Sequence, residues 1–416
     1  MRFYAENRKK TIKKLLFWLG LVFNIGLIVW FKYYDFFVGT INTAFKTNFT
    51  LFHIMLPLGI SFFTFQQISF VIDSSRGSVP RYNLLDYMLF VTFFPQLIAC
   101  PIVMHSEIIP QFEDVKNHKI NYANLSKAIT AFSIGLAKKV LIADTLGLFS
   151  DAAFTNVSAL NGTESIFAIL AYVFQIYFDF SGYCDMAIGI GYSFNIKLPL
   201  NFNSPYKSKS IQEFWKKWHI TLGRFLTWYI FIPLSIRKNG QKKADLNLMI
   251  VFLISGLWHG AGWNYILFGV IYGLANIFEH HFGTKMKKLP GALQWLYTFI
   301  VITVASTVFR VPKLSDTAII FGNLFKKPFG SISKELLGSL SIPEISIFTT
   351  HTALLQLVLL ITMIIFSFWL VLRTKNTSEI IQTQTLSVKR TIGNTVLLIW
   401  SILSLSSVSS FLYFNF

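Results

Sequence analysis

Charged residues are scarce in this chain of 416 residues, of which only 13% are Asp, Glu, Lys or Arg. A soluble globular domain carries about 25% charged residues, so most of this protein's surface cannot face water. Cysteine is nearly absent, and Cys100 and Cys184 both lie in apolar sequence. Two such residues predict neither a disulfide framework nor a zinc site.

The motifs of familiar soluble enzymes are also missing. The sequence contains no Gly-x-Ser-x-Gly elbow, no Walker loop and no His-Glu-x-x-His zinc motif. Glu279, His280 and His281 are adjacent, so on one helix we expect them to point to different faces. We interpret them as flanking a membrane interface, and the sequence predicts no metal site.

Long apolar runs are what the chain has in abundance: 53% of its residues are hydrophobic and 44 are Phe. A helix needs about 20 apolar residues to cross a hydrocarbon core of about 30 Å. Windows of this kind lie at roughly 15–31, 50–72, 84–104, 124–149, 163–193, 219–236, 244–277, 291–311, 351–373 and 393–414. They are continuous rather than alternating, which predicts an all-α integral membrane protein with about ten transmembrane helices.

The net charge of +18 comes from Lys and Arg in short segments between the apolar runs. Such residues set topology and contact anionic membrane lipids, so we expect no binding of nucleic acid. The basic first 14 residues predict a cytoplasmic N-terminus, and the first apolar run is too long for a cleaved signal peptide. Residues 31–35 are interpreted as an interfacial cluster, and residues 1–416 as one membrane domain.

Polar residues inside apolar runs are costly in a membrane, so each is a candidate for function. Asp179 and Asp185 lie six positions apart in such a run, with Ser181 and Gly182 between them. These small residues favour a broken helix, which is tolerated at depth only inside protein or beside a cavity. The alternative is that the two carboxylates cap helix ends.

A second stretch, 198–233, is irregular at first and then helical. Ser210 followed by Glu213 predicts a capping box and a helix that carries Trp215, Lys216 and Lys217. A basic, Trp-rich helix suits the membrane interface. His219 follows at the boundary with the next apolar run, where a lone histidine is more often structural than catalytic.

The third stretch places His259 in the middle of a long apolar run. Gly256, Gly260 and Gly262 surround it, and small residues allow a helix or a substrate to approach the backbone closely. Desolvation at membrane depth favours the neutral imidazole, which can accept a proton as a general base. The alternative is a structural histidine bonded to a neighbouring helix.

These stretches together resemble the membrane-bound O-acyltransferase family. They are most similar to its bacterial branch, which acts on extracytoplasmic polysaccharides such as alginate and peptidoglycan. The similar segments are 56–66, 93–99, 179–185, 213–219, 256–260 and 411–416. The resemblance implies a bowl of helices with re-entrant or broken segments around a path through the membrane. It also implies one or more helices ahead of this N-terminus, which is expected to be short for the family.

The resemblance implies a catalytic histidine at His259 and a second functional histidine at His219. An acetyl group would pass from a cytoplasmic thioester, acetyl-CoA, toward the outer face of the inner membrane, without a bound cofactor or metal. There it would reach a partner acetyltransferase of the cell envelope or its polysaccharide acceptor. Residues expected to contact substrate are Trp215, Trp258, Asn264, Asp179, Asp185, Lys216 and Lys217.

In this scheme His259 is the general base, and His219 either orients the donor or stabilises the oxyanion. Asn264 is a further hydrogen-bond donor for that oxyanion. Cations for the anionic nucleotide of the donor are expected among Lys207, Lys209, Lys216, Lys217, Arg224, Arg237 and Lys238.

The sequence is consistent with several functions. Peptidoglycan is favoured as the acceptor because a composition rich in Lys, Ile, Asn and Phe hints at an AT-rich genome. Alginate, another exopolysaccharide, or D-alanylation of teichoic acid are the alternatives within acyl transfer. A non-catalytic transporter is the alternative outside it, with a solute path at the expected break at Ser181 and Gly182.

Overall fold

The computed structural model describes residues 10–96, 101–235, 241–340, 352–385, 387–405 and 411–412. Within these ranges every regular element is helical, which confirms the predicted all-α class. The first half contains α1 Lys10–Ile28, α2 Tyr34–Phe45, α3 Ile60–Arg76, α4 Leu84–Thr92, α5 His105–Glu113, α6 Tyr122–Ala137, α7 Thr145–Thr155 and α8 Gly162–Ser193. The second half contains α9 Ile211–Trp215, α10 Ile220–Leu226, α11 Ile232–Ser235, α12 Gln241–His259, α13 Trp263–Met286, α14 Gly291–Arg310, α15 Leu314–Lys326, α16 Lys334–Gly338, α17 Ala353–Arg373, α18 Thr377–Thr383 and α19 Val388–Leu403.

Three π-helical stretches join consecutive helices without a break. They are Val29–Tyr33 between α1 and α2, Lys138–Asp144 between α6 and α7, and Thr227–Phe231 between α10 and α11. A π-helical turn is rare and is often found at functional sites. The first of these stretches contributes directly to the site described below.

Four helical stretches in the described ranges are long and apolar enough to cross a membrane. They are Thr11–Phe45, Gly162–Ser193, Gly291–Arg310 and Ala353–Arg373. The total of about ten spans therefore stays a prediction. Three of the predicted windows are shorter or divided in the structure: α3 begins only at Ile60, α4 ends at Thr92, and 244–277 contains both α12 and α13.

Helix α8 is the most deeply buried of these four stretches and packs along α6. It runs unbroken for 32 residues, so the predicted break at Ser181 and Gly182 is wrong. A Cβ atom on Gly182 would lie 2.7 Å from the carbonyl oxygen of Gly135 on α6. The small residues serve close packing of two helices rather than a kink.

Helices α12 and α13 form an antiparallel hairpin in which glycines bring the two backbones together. A Cβ atom on Gly256 would lie 2.2 Å from the carbonyl oxygen of Tyr265, and one on Gly269 would lie 2.5 Å from that of Phe252. Real Cβ atoms essentially never approach backbone atoms so closely. The hairpin geometry therefore depends on the absence of side chains at these positions.

Replacing Gly256 by alanine is expected to destabilise the protein by about 1–3 kcal/mol, because the added methyl group overpacks a rigid contact. Gly283 of α13 is the matched control, since nothing lies within 4 Å of a Cβ atom placed there. Gly283→Ala should be neutral or stabilise by up to about 1 kcal/mol, because alanine is the better helix former. The measurement is thermal unfolding of the detergent-purified variants, and equal melting temperatures would contradict the packing argument.

Candidate active site

His219 lies between α9 and α10 in a left-handed backbone conformation, with φ at 46° and ψ at 51°. Asn201 holds this corner: its side-chain oxygen accepts from Thr221 N at 3.2 Å and from Thr221 Oγ1 at 2.9 Å. The same oxygen lies 3.2 Å from His219 Nδ1. Because that oxygen only accepts, Nδ1 carries the proton and Nε2 keeps the lone pair.

The segment before His219 confirms part of the predicted capping box. Ser210 Oγ accepts from Glu213 N at 3.0 Å, whereas Glu213 accepts from Lys209 N at 2.9 Å and from Lys217 Nζ at 2.7 Å. Partial burial raises the pKa of Glu213, but these hydrogen bonds outweigh it and hold the pKa below its ordinary value. The helix that begins here is short, because α9 ends at Trp215.

His259 is the last residue of α12, and its ring is buried among aromatic side chains. The ring centroids of Trp258, Phe268 and Phe309 lie 5.0, 5.6 and 5.3 Å from it. The centroid of His219 lies 6.3 Å away, and both histidines are buried. The structure therefore brings together two histidines that are 40 positions apart in the sequence.

Lys32 and Tyr33 bind the C-terminal end of α12, and the interpretation of residues 31–35 as an interfacial cluster stays a prediction. Lys32 Nζ donates to the carbonyl oxygens of Trp258 at 2.7 Å and His259 at 2.9 Å. The Tyr33 hydroxyl donates to the carbonyl of Leu257. These carbonyls have no partner within α12, and a cation suits the negative end of a helix.

The aromatic and amide residues predicted at the site lie at different distances from the histidines. Trp258 packs directly against the histidines, with its ring centroid 5.7 Å from that of His219. Asn264 is buried in the first turn of α13 and donates to the carbonyl of Phe309 at 3.2 Å, beside His259. Trp215 lies behind Phe268 as seen from His259, and its ring packs edge-on against that of Tyr272 with the centroids 4.9 Å apart.

Asp179 and Asp185 lie in the interior of α8, so neither caps a helix end. Lys139 Nζ contacts Asp179 at 2.6 Å, and Lys138 Nζ contacts Asp185 at 2.5 Å. Helix α8 reaches His219 through the ring of Phe180, whose centroid lies 4.9 Å away. The two carboxylates thus form buried ion pairs with the Lys138–Asp144 stretch, and their predicted role in substrate binding stays a prediction.

The predicted cations of the nucleotide site have different partners within the described residues, and Lys209 and Lys217 both lie beside Glu213. Lys207 donates to the carbonyl of Thr374 at 2.6 Å, and Arg224 Nη2 donates to Glu107 at 2.8 Å. Lys216 is exposed and Lys217 pairs with Glu213. Arg237 and Lys238 lie outside the described residues.

A cavity of about 510 Å³ that several polar side chains line, the polar cavity, lies at the C-terminal end of α3, where the sequence indicates no site. His105 is buried at its wall, with Nδ1 3.0 Å from the Tyr82 hydroxyl and Nε2 3.5 Å from Asp73. The Tyr229 hydroxyl donates to the same carboxylate at 2.8 Å. The sequence signal that could have identified His105 is the one used for His219 and His259, a histidine within or beside an apolar run. His105 directly follows the apolar window 84–104.

Aromatic rings connect this polar cavity with the two histidines. The ring centroid of Phe225 lies 4.9 Å from Tyr229 and 4.1 Å from Phe65, and Phe65 lies 5.4 Å from Trp258. A larger cavity of about 650 Å³ lies elsewhere, between α6, the Lys138–Asp144 stretch, α17 and α19. Neither cavity is lined by His219 or His259, and it is the row of aromatic rings that associates the smaller one with the site.

Comparison with known proteins identifies the arrangement. Residues 74–311 match the membrane-bound O-acyltransferase family, and this range contains both histidines. The chain belongs to this family. It is a membrane-bound O-acyltransferase, which confirms the resemblance inferred from the sequence.

Individual relatives of this O-acyltransferase support the same assignment. It is 40% identical to a peptidoglycan O-acetyltransferase of Helicobacter pylori, over 99% of this chain and 84% of that protein. It is 39% identical to a probable alginate O-acetylase of Pseudomonas aeruginosa, over 71% of this chain and 57% of that protein. It is 29% identical to a teichoic acid D-alanyltransferase of Bacillus subtilis, over 59% of this chain and 65% of that protein.

Proposed function

We propose that this membrane-bound O-acyltransferase moves acetyl groups from cytoplasmic acetyl-CoA toward O-acetylation of peptidoglycan outside the inner membrane. The observation that carries the proposal is the buried pair of His219 and His259 with ring centroids 6.3 Å apart. Peptidoglycan is favoured over alginate because similarity to the peptidoglycan relative extends over 99% of the chain, against 71% for the alginate relative.

In the proposed mechanism His259 is the general base. A hydroxyl has too high a pKa to attack a thioester unaided, so His259 removes its proton as the oxygen bonds to the carbonyl carbon. The tetrahedral intermediate then expels the thiolate, which takes that proton back from the imidazolium. The amide of Asn264, which has a second N–H hydrogen, supplies a hydrogen bond to the oxyanion, in a dry environment where such a bond is strong. His219, whose Nε2 only accepts in this tautomer, orients the donor.

The depth of the histidines fits transfer toward the outer face if the basic N-terminus is cytoplasmic. Lys32, which contacts His259, lies 22 residues beyond the start of α1 at Lys10. At a rise of 1.5 Å per residue this is about 33 Å along the helix. A hydrocarbon core is about 30 Å thick, so the histidines would lie toward its outer side.

The polar cavity fits entry of the donor from the opposite side. Ser61 at the start of α3 contacts Lys32, whereas Arg76 ends the same helix about 22 Å further along. Arg76 lines the cavity and its guanidinium lies 5.8 Å from the ring centroid of Tyr229. An exposed guanidinium suits the phosphates of acetyl-CoA, which arrive from the cytoplasm.

The alternatives differ in what supports them. Alginate and teichoic acid are acceptors named for relatives that cover less of the chain, and a partner acetyltransferase of the cell envelope remains our proposal for the next step. The transporter alternative depended on a broken helix at Ser181 and Gly182. Because α8 is continuous there, that alternative loses its structural basis.

The proposal predicts that deletion of the gene removes most base-releasable acetate from purified peptidoglycan. A wild-type copy should restore the acetate and a His259→Ala copy should not, with matched protein levels by immunoblot. His118→Ala is the control, because His118 is exposed and its Nε2 lies 2.9 Å from the carbonyl of Phe112, a near neighbour in the sequence. Acetate lost from exopolysaccharide instead would identify a different acceptor, and unchanged acetate in both polymers would reject the proposal.

A further inference from the structure

A cluster of two imidazoles and one carboxylate lies at the open end of the α12–α13 hairpin. Asp245 of α12 lies with Oδ1 2.9 Å from His280 Nδ1 and with Oδ2 2.8 Å from His281 Nε2, both on α13. One ligand atom from each of the three residues lies within 4.8 Å of the others. We propose that this cluster binds a divalent transition-metal ion of the zinc type.

The two adjacent histidines converge because they use different ring nitrogens. Neighbouring residues on a helix point about 100° apart, which led to the prediction that His280 and His281 diverge. In the structure His280 presents Nδ1, close to its own backbone, while His281 presents Nε2, at the far end of the ring. The difference in reach compensates for the difference in direction, so the prediction of divergence is wrong.

The ligand set matches one type of metal. Three protein ligands drawn from imidazole nitrogen and carboxylate oxygen, with water in the fourth position, form a common tetrahedral zinc arrangement. Imidazole selects against Mg²⁺ and Ca²⁺, which prefer oxygen ligands. Metal binding requires each ring proton that now faces Asp245 to move to the other ring nitrogen or to leave.

The surroundings allow an ion to enter. The side chains of Asp245, His280 and His281 are 22%, 36% and 39% exposed. Zinc–nitrogen distances of about 2.0–2.1 Å draw the ligand atoms closer than they now lie, and partly exposed side chains can make that movement. Asp245 lies 14 residues before His259, about 21 Å along α12, so the ion would fasten the hairpin from the end opposite the active site.

The test is direct metal binding to the full-length protein, purified in detergent with an affinity tag that contains no histidine. The protein is first stripped with a chelator and then titrated with Zn²⁺ by calorimetry and with Co²⁺ by visible absorption. We expect one ion per chain and intense absorption bands typical of tetrahedral Co²⁺. The bound ion should also raise the thermal unfolding temperature, because it binds the folded hairpin and not the unfolded chain.

Single substitutions decide whether the cluster is the site. Asp245→Asn, His280→Ala and His281→Ala should each weaken Zn²⁺ binding at least 10-fold and abolish the Co²⁺ bands. His118→Ala, at an exposed histidine outside the hairpin, should change neither. Monodisperse gel filtration establishes that each variant is folded. Equal Zn²⁺ affinity in all variants, or no binding to the original protein, would overturn the proposal.

Discussion

Replacing His259 by alanine is expected to lower acetyl transfer by about 10²–10⁴-fold, the usual contribution of a general base. The ring lies at the end of α12 within a shell of aromatic side chains, 6.3 Å from His219. Its loss removes the proton acceptor but leaves the carbonyl groups that Lys32 and Tyr33 bind, since these belong to the backbone. The protein should therefore remain folded while the chemistry stops.

The measurement is transfer of labelled acetyl groups from acetyl-CoA by inverted membrane vesicles, normalised to folded protein. His118→Ala serves again as the control and should retain full activity. Activity in the His259→Ala protein within a factor of about two of the original would eliminate His259 as the base. Absence of activity even in the original protein would instead reject acetyl-CoA as the donor.

Replacing Lys32 by methionine should have the second largest effect, although Lys32 contacts no substrate in our proposal. Its ammonium group donates to the carbonyls of Trp258 and His259 and lies 3.3 Å from Ser61 Oγ. Methionine keeps most of the volume and removes the donor, so the end of α12 can shift. A displacement of about 1 Å at a catalytic group can cost up to about 100-fold in rate.

This positioning role can be separated from simple loss of stability. Lys14→Met is the control, because Lys14 is an exposed lysine of the same helix. Lys32→Arg should recover part of the activity, since a guanidinium can also donate to two carbonyls. We expect kcat to fall more than the amount of folded protein measured by gel filtration. Full activity per folded molecule in Lys32→Met would show that the contact is only structural.

The cost of a polar residue in the membrane is what singles out His259 in the sequence. The structure confirms that this histidine is buried, and its catalytic role stays a prediction. The family resemblance added His219, which by itself was more consistent with a structural role. The structure brings both rings together, although the separation of the two histidines in the sequence does not predict that the start of α10 and the end of α12 meet.

The same reasoning failed where the partner of a residue lies far away in the chain. Gly182 was interpreted as a helix breaker because its neighbours along the sequence were the only ones visible, whereas its packing partner Gly135 is on α6. Lys32 was likewise interpreted from its aromatic neighbours alone, and its partners on α12 were not predicted. Its contact with α12 joins positions 226 and 227 residues apart, which no local pattern can reveal.

The π-helical stretch Val29–Tyr33 has a consequence for how related sequences should be aligned. Such a stretch contains an extra residue relative to an α-helix, so deleting one residue there would restore regular winding and rotate the rest of the helix by about 100°. The helix would shorten by only about 1.5 Å and would remain a good transmembrane segment. Lys32 and Tyr33 would nevertheless turn away from α12. A single-residue gap at this point in an alignment should therefore be interpreted as loss of the contacts that Lys32 and Tyr33 make with the end of α12, even where both histidines are retained.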